Sequence, residues 1–414
     1  MPSIIQHLLL LALLAICQPL LATEIEDEED AAPAPISERL EQDSNAQAAQ
    51  PAASTTPQVY TPNTFALLGN SVQPGSFSTL SWRAEQSFAS IATPVPVLVA
   101  HGAKAGPVLC LTAAVHGDEI NGIEMVRHLM FDIEPQQLAG TVIGVPIVNL
   151  DGFRRGERYL SDRRDLNRHF PGNAHGSAAS RVAHSLFENI VRHCDYLVDL
   201  HTGSLARTNL PQIRGDLKNP AVVTLAKHLG GITVLDGRGA KGTLRRAATD
   251  TGIPTLTLEA GGPHVLEQNA VDIGVKALRT LLDNLDMHAS GSFWDAPQPV
   301  FYESEWVRSH QGGILLSKVK LGERVKTGQV LGTVVDPVTN TGSAILAPFD
   351  GRILGMAENQ VVQTGYATYH VGVEKAAEKI EKEAQQATPD DVSSNAPPTT
   401  PAEAQTASSQ SSSP

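Results

Sequence analysis

Six short runs of apolar and β-branched residues punctuate the middle of the chain: VPVLVAHG, GPVLCLTAAVHG, GTVIGVPIVNLDG, CDYLVDLHTG, GITVLDG and GIPTLTLEAGG, each ending in Gly or Asp. A near-continuous apolar run, rather than strict alternation, is the pattern of a strand covered on both faces. Between these runs, GIEMVRHLMFDI, SRVAHSLFENIVRHC and NAVDIGVKALRTLLDNLDM repeat their apolar residues with a helical period. The alternation predicts an α/β sandwich over about 60 to 295, with a sheet that need not be purely parallel.

After Ser292 the texture changes. The stretch from GGILLSKVKLGERV to YATYHVGV has no helical period and carries Gly or Asn every few residues, so it reads as a small all-β unit. VKTGQVL at 325–331 matches VQTGYAT at 362–368, which suggests two similar hairpin halves in a flattened barrel.

The ends are of a different kind. An apolar stretch from His7 to Ala22 is too short for a comfortable membrane span and reads as a secretory signal peptide over 1–22. Cys17 raises a lipoprotein alternative, which the bulky Ile16 before it disfavours, and an uncleaved membrane anchor is the other minor reading. Residues 23–56 are acidic and then rich in Ala, Pro, Ser and Gln. Residues 374–414 run from a charged stretch, EKAAEKIEKEA, into Pro, Ser and Thr. Segments so poor in large apolar side chains cannot offset their ordering entropy, so both read as disordered, the charged stretch being able to form a transient helix. That leaves 57–295 as a catalytic domain and 296–373 as the β unit.

The 44 acidic residues against 31 basic ones, six of the acids lying between Glu24 and Asp30, speak against a nucleic-acid partner. Cys110 and Cys194 each lie in an apolar stretch and are expected to be buried free thiols, although an oxidising compartment would allow one disulfide. No CxxC or Cys-His cluster exists, so a metal site here must use His and carboxylates.

Such groups sit at the ends of the expected strands. TAAVHGDE delivers His116 and Glu119, YLVDLH delivers His201, and TLTLEA delivers Glu259. Ligands of open α/β sheets bind beyond the carboxyl ends of the strands. An HxxE pair alone is most often a solvated turn, His201 could be a turn histidine and Glu259 a helix cap. Their joint occurrence at strand ends is less easily accidental. Two imidazoles and a carboxylate are the ligand set of a catalytic zinc, one per chain, and Glu259 is the candidate general base. Asp118 and Asp199 are not needed for the ligand count, and Arg214 and Arg245 are candidate specificity residues.

HGDE, DLNRHFPG, DLHTG and LTLEAGG, in this order, resemble the succinylglutamate desuccinylase/aspartoacylase family over about residues 60 to 295. The resemblance implies a mixed-sheet, zinc carboxypeptidase-like α/β/α domain, with His116, Glu119 and His201 as zinc ligands and Glu259 as general base and acid. It further implies that Asn167 and Arg168 grip a substrate carboxylate, that Arg158 polarises the scissile carbonyl, and that Asp165 orients a ligating histidine. The spacing to DLNR leaves Arg154, Arg155, Arg163 and Arg164 as competitors of Arg158. The C-terminal unit resembles the barrel-sandwich hybrid of biotinyl and lipoyl carriers in LGERVKTGQVLGTVVDP and APFDGRI. Its tip, DPVTNTG, has no lysine, so neither biotin nor lipoate is expected. The unit either shapes the mouth of the site or mediates homo-oligomerisation.

The function expected is that of a zinc-dependent amidohydrolase, exported to the periplasm by its leader, removing the acyl group from a small carboxylate-bearing N-acyl amino acid. Two alternatives remain: a zinc carboxypeptidase or muropeptide amidase acting on exported peptides, and a non-enzymatic binding or assembly protein.

Overall fold

The computed structural model describes residues 63–83, 93–288 and 300–386. The expected signal peptide, the acidic spacer and the tail beyond 386 lie outside the described residues.

Strands β1 (Phe65–Leu67) and β2 (Asn70–Val72) form a hairpin, and β3 (Ser76–Trp82) opens the main sheet. There follow β4 (Val95–His101), β5 (Lys104–Ala113), α1 (Asn121–Asp132), β6 (Ala139–Val145), α2 (Leu150–Arg155), α3 (Ala178–Asn189) and β7 (Tyr196–His201). The core continues through β8 (Arg207–Gly215), α4 (Pro220–Lys227), β9 (Thr233–Asp236), α5 (Leu244–Asp250), β10 (Thr255–Gly261) and α6 (Gln268–Asn284). The six runs expected to be strands are β4, β5, β6, β7, β9 and β10, and the three helical patterns are α1, α3 and α6.

The sheet is mixed. β6, β5, β7 and β10 run parallel, whereas β4 lies antiparallel to β6 and β8 antiparallel to β10. Both faces are covered, which is why the strands read as continuous apolar runs. Leu98, Leu109, Leu111 and Val198 pack against α1, α4 and α6; their sequence neighbours Val97, Val99, Cys110 and Leu197 pack against α3 and α5.

Cys110 of β5 and Cys194, just before β7, are joined by a disulfide, with Cα atoms 5.7 Å apart. This corrects the expectation of free thiols: β5 and β7 are parallel neighbours, so two apolar stretches far apart in sequence bring the sulfurs together.

The C-terminal strands are β11 (Val300–Arg308), β12 (Gly313–Ser317), β13 (Arg324–Val325), β14 (Val330–Val335), β15 (Gly342–Leu346), β16 (Gly351–Ala357), β17 (Val361–Val362) and β18 (Ala367–Lys375). β15, β14, β12 and β17 make a separate four-stranded sheet. Its Leu315, Leu331, Val334 and Ile345 pack on Val325, Ile353, Tyr369 and Val371. β13, β16, β18 and β11 instead extend the main sheet, β11 lying parallel to β9 and β16 antiparallel to β8. The internal repeat is realised as a repeated turn, since Gly328 and Gly365 both take positive φ, 77° and 85°.

One expectation about the tail is overturned. Ala377–Gln386 is a helix, α7, whose Ile380 and Ala384 are buried in the core that α4 shares. Two apolar side chains four apart suffice to dock one face of an otherwise charged helix.

Candidate metal centre

The end of β5 is where the chain turns polar. After Ala114, whose φ is 47°, Val115 leads into His116, and a turn closed by the Glu119 amide on the His116 carbonyl (3.2 Å) sets the two side chains together. Gly117 is required by close approach rather than by φ: a Cβ there would lie 2.2 Å from the backbone of Gly152 and Phe153. His201 is the last residue of β7, and Glu259 on β10 is its direct neighbour in the register.

His116, Glu119 and His201 converge, their ligand atoms all within 4.8 Å of one another and all three side chains buried. His116 Nδ1 is 2.8 Å from Glu119 Oε1 and His201 Nδ1 is 2.7 Å from Glu119 Oε2. The outer nitrogens are each held by a carboxylate: His116 Nε2 by Asp165 (3.0 Å) and His201 Nε2 by Asp199 (2.7 Å). Thr112 donates to the other oxygen of Asp199 at 2.6 Å. This arrangement fixes each ring and leaves both Nδ1 atoms facing one point, as in carboxylate–histidine–metal triads.

The electrostatics point the same way. Burial would raise the Glu119 carboxyl, but the two imidazoles outweigh it and hold the group far below the usual carboxylate range. Burial would lower His201, but Asp199 and Glu119 raise it well above its ordinary value. The Arg158 guanidinium pairs with Glu119 (2.9 Å) and Asp165 (3.1 Å). The donor set of two imidazoles and a carboxylate is one that zinc accepts.

Residues 105–285 match the model of the succinylglutamate desuccinylase/aspartoacylase catalytic domain. Over these residues the chain is similar to the succinylglutamate desuccinylase/aspartoacylase family. A curated relative, the N-alpha-acetyl-L-2,4-diaminobutyric acid deacetylase of Halomonas elongata, is 27% identical over 266 residues, 61% of this chain and 77% of that protein. Among solved structures, the succinylglutamate desuccinylase/aspartoacylase from Rhodobacter sphaeroides superposes with a TM-score of 0.65 at 24% identity, covering 72% of this chain and 96% of that one. The product-bound ectoine utilization protein EutE (DoeB) from Ruegeria pomeroyi gives 0.64 at 23%, covering 72% and 95%.

On this succinylglutamate desuccinylase/aspartoacylase frame the other expected site residues fall as follows. Asp165 caps the short 3-10 turn Leu166–Arg168, accepting from the Asn167 amide at 2.8 Å while it holds His116. Asn167 accepts from the Leu244 amide at 2.8 Å and so ties this turn to the start of α5. Arg168 is exposed, its Nη1 donating to the Asn167 carbonyl. Arg245, one residue into α5, is depressed to about 10 by burial and by the charge of Arg214, against the pull of Glu259, Asp199 and Asp236. Asp118 is buried but is not among the converging ligand atoms; its carbonyl accepts from the His264 amide at 2.8 Å.

Sequence reasoning missed two polar residues. The ligand count does not call for Asp199, although two residues before His201 on one strand is the spacing that puts both on one face. Asn209 of β8, whose Nδ2 donates to Glu259 Oε2 at 3.1 Å, gave no signal because β8 is too polar to read as a buried strand.

Proposed function

We propose that the chain is a zinc-dependent deacylase that hydrolyses the amide of a small N-acyl amino acid bearing a carboxylate. The match of residues 105–285 to the catalytic-domain model supports the deacylase class, and the H. elongata relative is named for an N-acetylated amino acid. The observation that carries the metal is the convergence of His116 Nδ1 and His201 Nδ1 on Glu119, each ring backed by its own carboxylate. The mixed sheet with both faces covered supports a zinc carboxypeptidase-like core, and the two packed C-terminal β layers support a barrel-sandwich-hybrid-like module after it.

Held by His116, Glu119 and His201, zinc would supply Lewis acidity toward water and the scissile carbonyl. Glu259, beside His201, takes the proton from water and returns it to the departing amine. Arg158, buried against Glu119 and Asp165, provides fixed positive charge beside the developing oxyanion. Asn167 and Arg168 offer the exposed end of the substrate an amide and a guanidinium. Arg245 and Arg214 make the deeper part of the site electropositive, since the Nε of each is buried with no hydrogen-bond partner among the described residues. Two such cations lower the cost of burying an anionic substrate group.

The disulfide between Cys110 and Cys194 supports export to an oxidising compartment, in line with the leader read at 1–22. The test is metal analysis of protein purified without chelator, followed by a hydrolysis screen of acetylated and succinylated amino acids beside short peptides and muropeptides. Glu259→Gln should retain the metal and lose most turnover. Normal turnover in that variant would refute the base assignment, and preference for peptides would refute the substrate class.

A further inference from the structure

We propose that the C-terminal β module positions the Glu259 carboxylate, acting through Asn209, and is therefore a working part of the site. The inference rests on the reading of Glu259 as the proton-transfer group.

The chain leaves His201 through a short loop in which Leu205 and Ala206 both take positive φ, 53° and 56°, a conformation that needs outside support in non-glycine residues. The support comes from the C-terminal module. Tyr366 Oη donates to the Leu205 carbonyl at 2.6 Å, while Gln360 Nε2 and the Glu358 amide donate to the Ala206 carbonyl at 2.8 and 2.9 Å. Arg207 Nε then donates to the Ala367 carbonyl at 3.0 Å, and its guanidinium lies 4.4 Å from the centre of the Tyr366 ring. The loop that begins at a candidate metal ligand is thus clamped by residues of the C-terminal module that lie far away in sequence, Tyr366 and Leu205 being 161 positions apart.

Past the clamp, β8 pairs with β16: Arg207 opposes Ala357, Thr208 opposes Met356, and Asn209 opposes Gly355. A Cβ at Gly355 would lie 2.4 Å from Asn209 Oδ1 and 3.4 Å from the Cβ of His370. The amide of Asn209 therefore fills the space that a side chain at 355 would take, with His370 beside it. Seated there and almost fully buried, Asn209 presents Nδ2 to Glu259 Oε2 at 3.1 Å. Among the described residues this is the one hydrogen bond that the Glu259 side chain makes. A glutamate with three free torsions needs such an anchor to hold one geometry, and displacement of a reacting group by about 1 Å can cost about 100-fold in rate. Asn209 is a positioning residue, and Gly355 sets its seat.

Two variants of the full-length, zinc-loaded protein test this. Gly355→Ala drives a methyl onto Asn209 Oδ1. Asn209→Asp adds no atoms but replaces the donor with a carboxylate facing Glu259. On an N-acetylated amino acid each should lower kcat about 10- to 100-fold while KM moves little, the split expected when only transition-state geometry is lost. Metal content and melting temperature of Asn209→Asp should match the wild type. Because both changes act through one contact, the double variant should lose no more than the worse single one. A crystal structure of Asn209→Asp should show the Glu259 carboxylate turned from its wild-type position. Wild-type kcat in Asn209→Asp, losses that multiply in the double variant, or an unmoved Glu259 would each overturn the proposal. If Gly355→Ala fails to fold, Asn209→Asp decides alone. Normal turnover in Glu259→Gln would instead sink the proton-transfer reading, while the crystallographic position of Glu259 would still report on Asn209.

Discussion

Asp199→Asn removes one charge from the metal centre and almost no volume. Asp199 is fully buried and uses both oxygens, accepting from the His201 ring at 2.7 Å and from Thr112 at 2.6 Å. The asparagine can keep both bonds if its oxygen faces His201 and its amide donates to the Thr112 hydroxyl, so the change isolates charge from shape. A hydrogen bond to a charged group contributes about 1.5–3 kcal/mol and a neutral one about 0.5–1.5. The expected loss is therefore about 1–2 kcal/mol, a factor of roughly 5 to 30 in zinc affinity, overlapping the lower part of the range of about 10- to 100-fold found for partners of ligating histidines. The sign of the pH dependence follows from the same carboxylate. Asp199 and Glu119 raise the His201 pKa against burial, so protons compete with the metal as pH falls through that raised value. In the variant this value drops, competition begins at lower pH, and the difference between the two proteins narrows on acidification. Zinc affinity is to be measured by competition with a chromophoric chelator at pH 8 and pH 6. Equal affinities at pH 8, or a gap that widens toward pH 6, would refute the role given to Asp199.

Three further outcomes are expected. Metal-free protein should lose stability as pH rises above 6.5, because a histidine whose folded pKa is raised contributes fully below its unfolded value and less as pH passes through the folded one; a melting temperature that climbs between pH 7 and 9 would contradict this. Gly117→Ala would bring a methyl to 2.2 Å from backbone atoms, so it should destabilise by about 3 kcal/mol or more and lower metal occupancy, as read by calorimetry and metal analysis. Replacing both Cys110 and Cys194 by Ala opens a loop of 84 residues, for which chain entropy gives about 4–5 kcal/mol; an unchanged melting temperature would show that the cross-link does not constrain the unfolded chain.

How much of this is legible in the sequence depends on whether a residue acts along its own strand or across strands. His116, Glu119, His201 and Glu259 end apolar runs, and the pattern that predicts the strands predicts their position as well. Asp199 shares a strand with His201, but its function depends on which ring nitrogen it meets. Asn209 and Gly355 are invisible for a stronger reason, since their relation exists only in the β8–β16 register. β8 itself is hard to see because its Asn209, Gln212 and Arg214 interrupt any apolar run. Cys110 and Cys194 read as core thiols because their strand neighbourhood is the missing information. The charged stretch reads as a transient helix, and its charges hide the docking of α7, for which two buried side chains suffice.

The junction between β9 and β11 bears on how this protein can be cut. β9, only four residues long, has β8 on one side and β11 on the other, so a chain ended near 288 would leave its outer backbone groups unpaired. The same cut would strip β16 from β8. Exposed strand edges of this kind recruit other chains, and a shortened catalytic fragment is expected to aggregate rather than to behave as a smaller soluble enzyme.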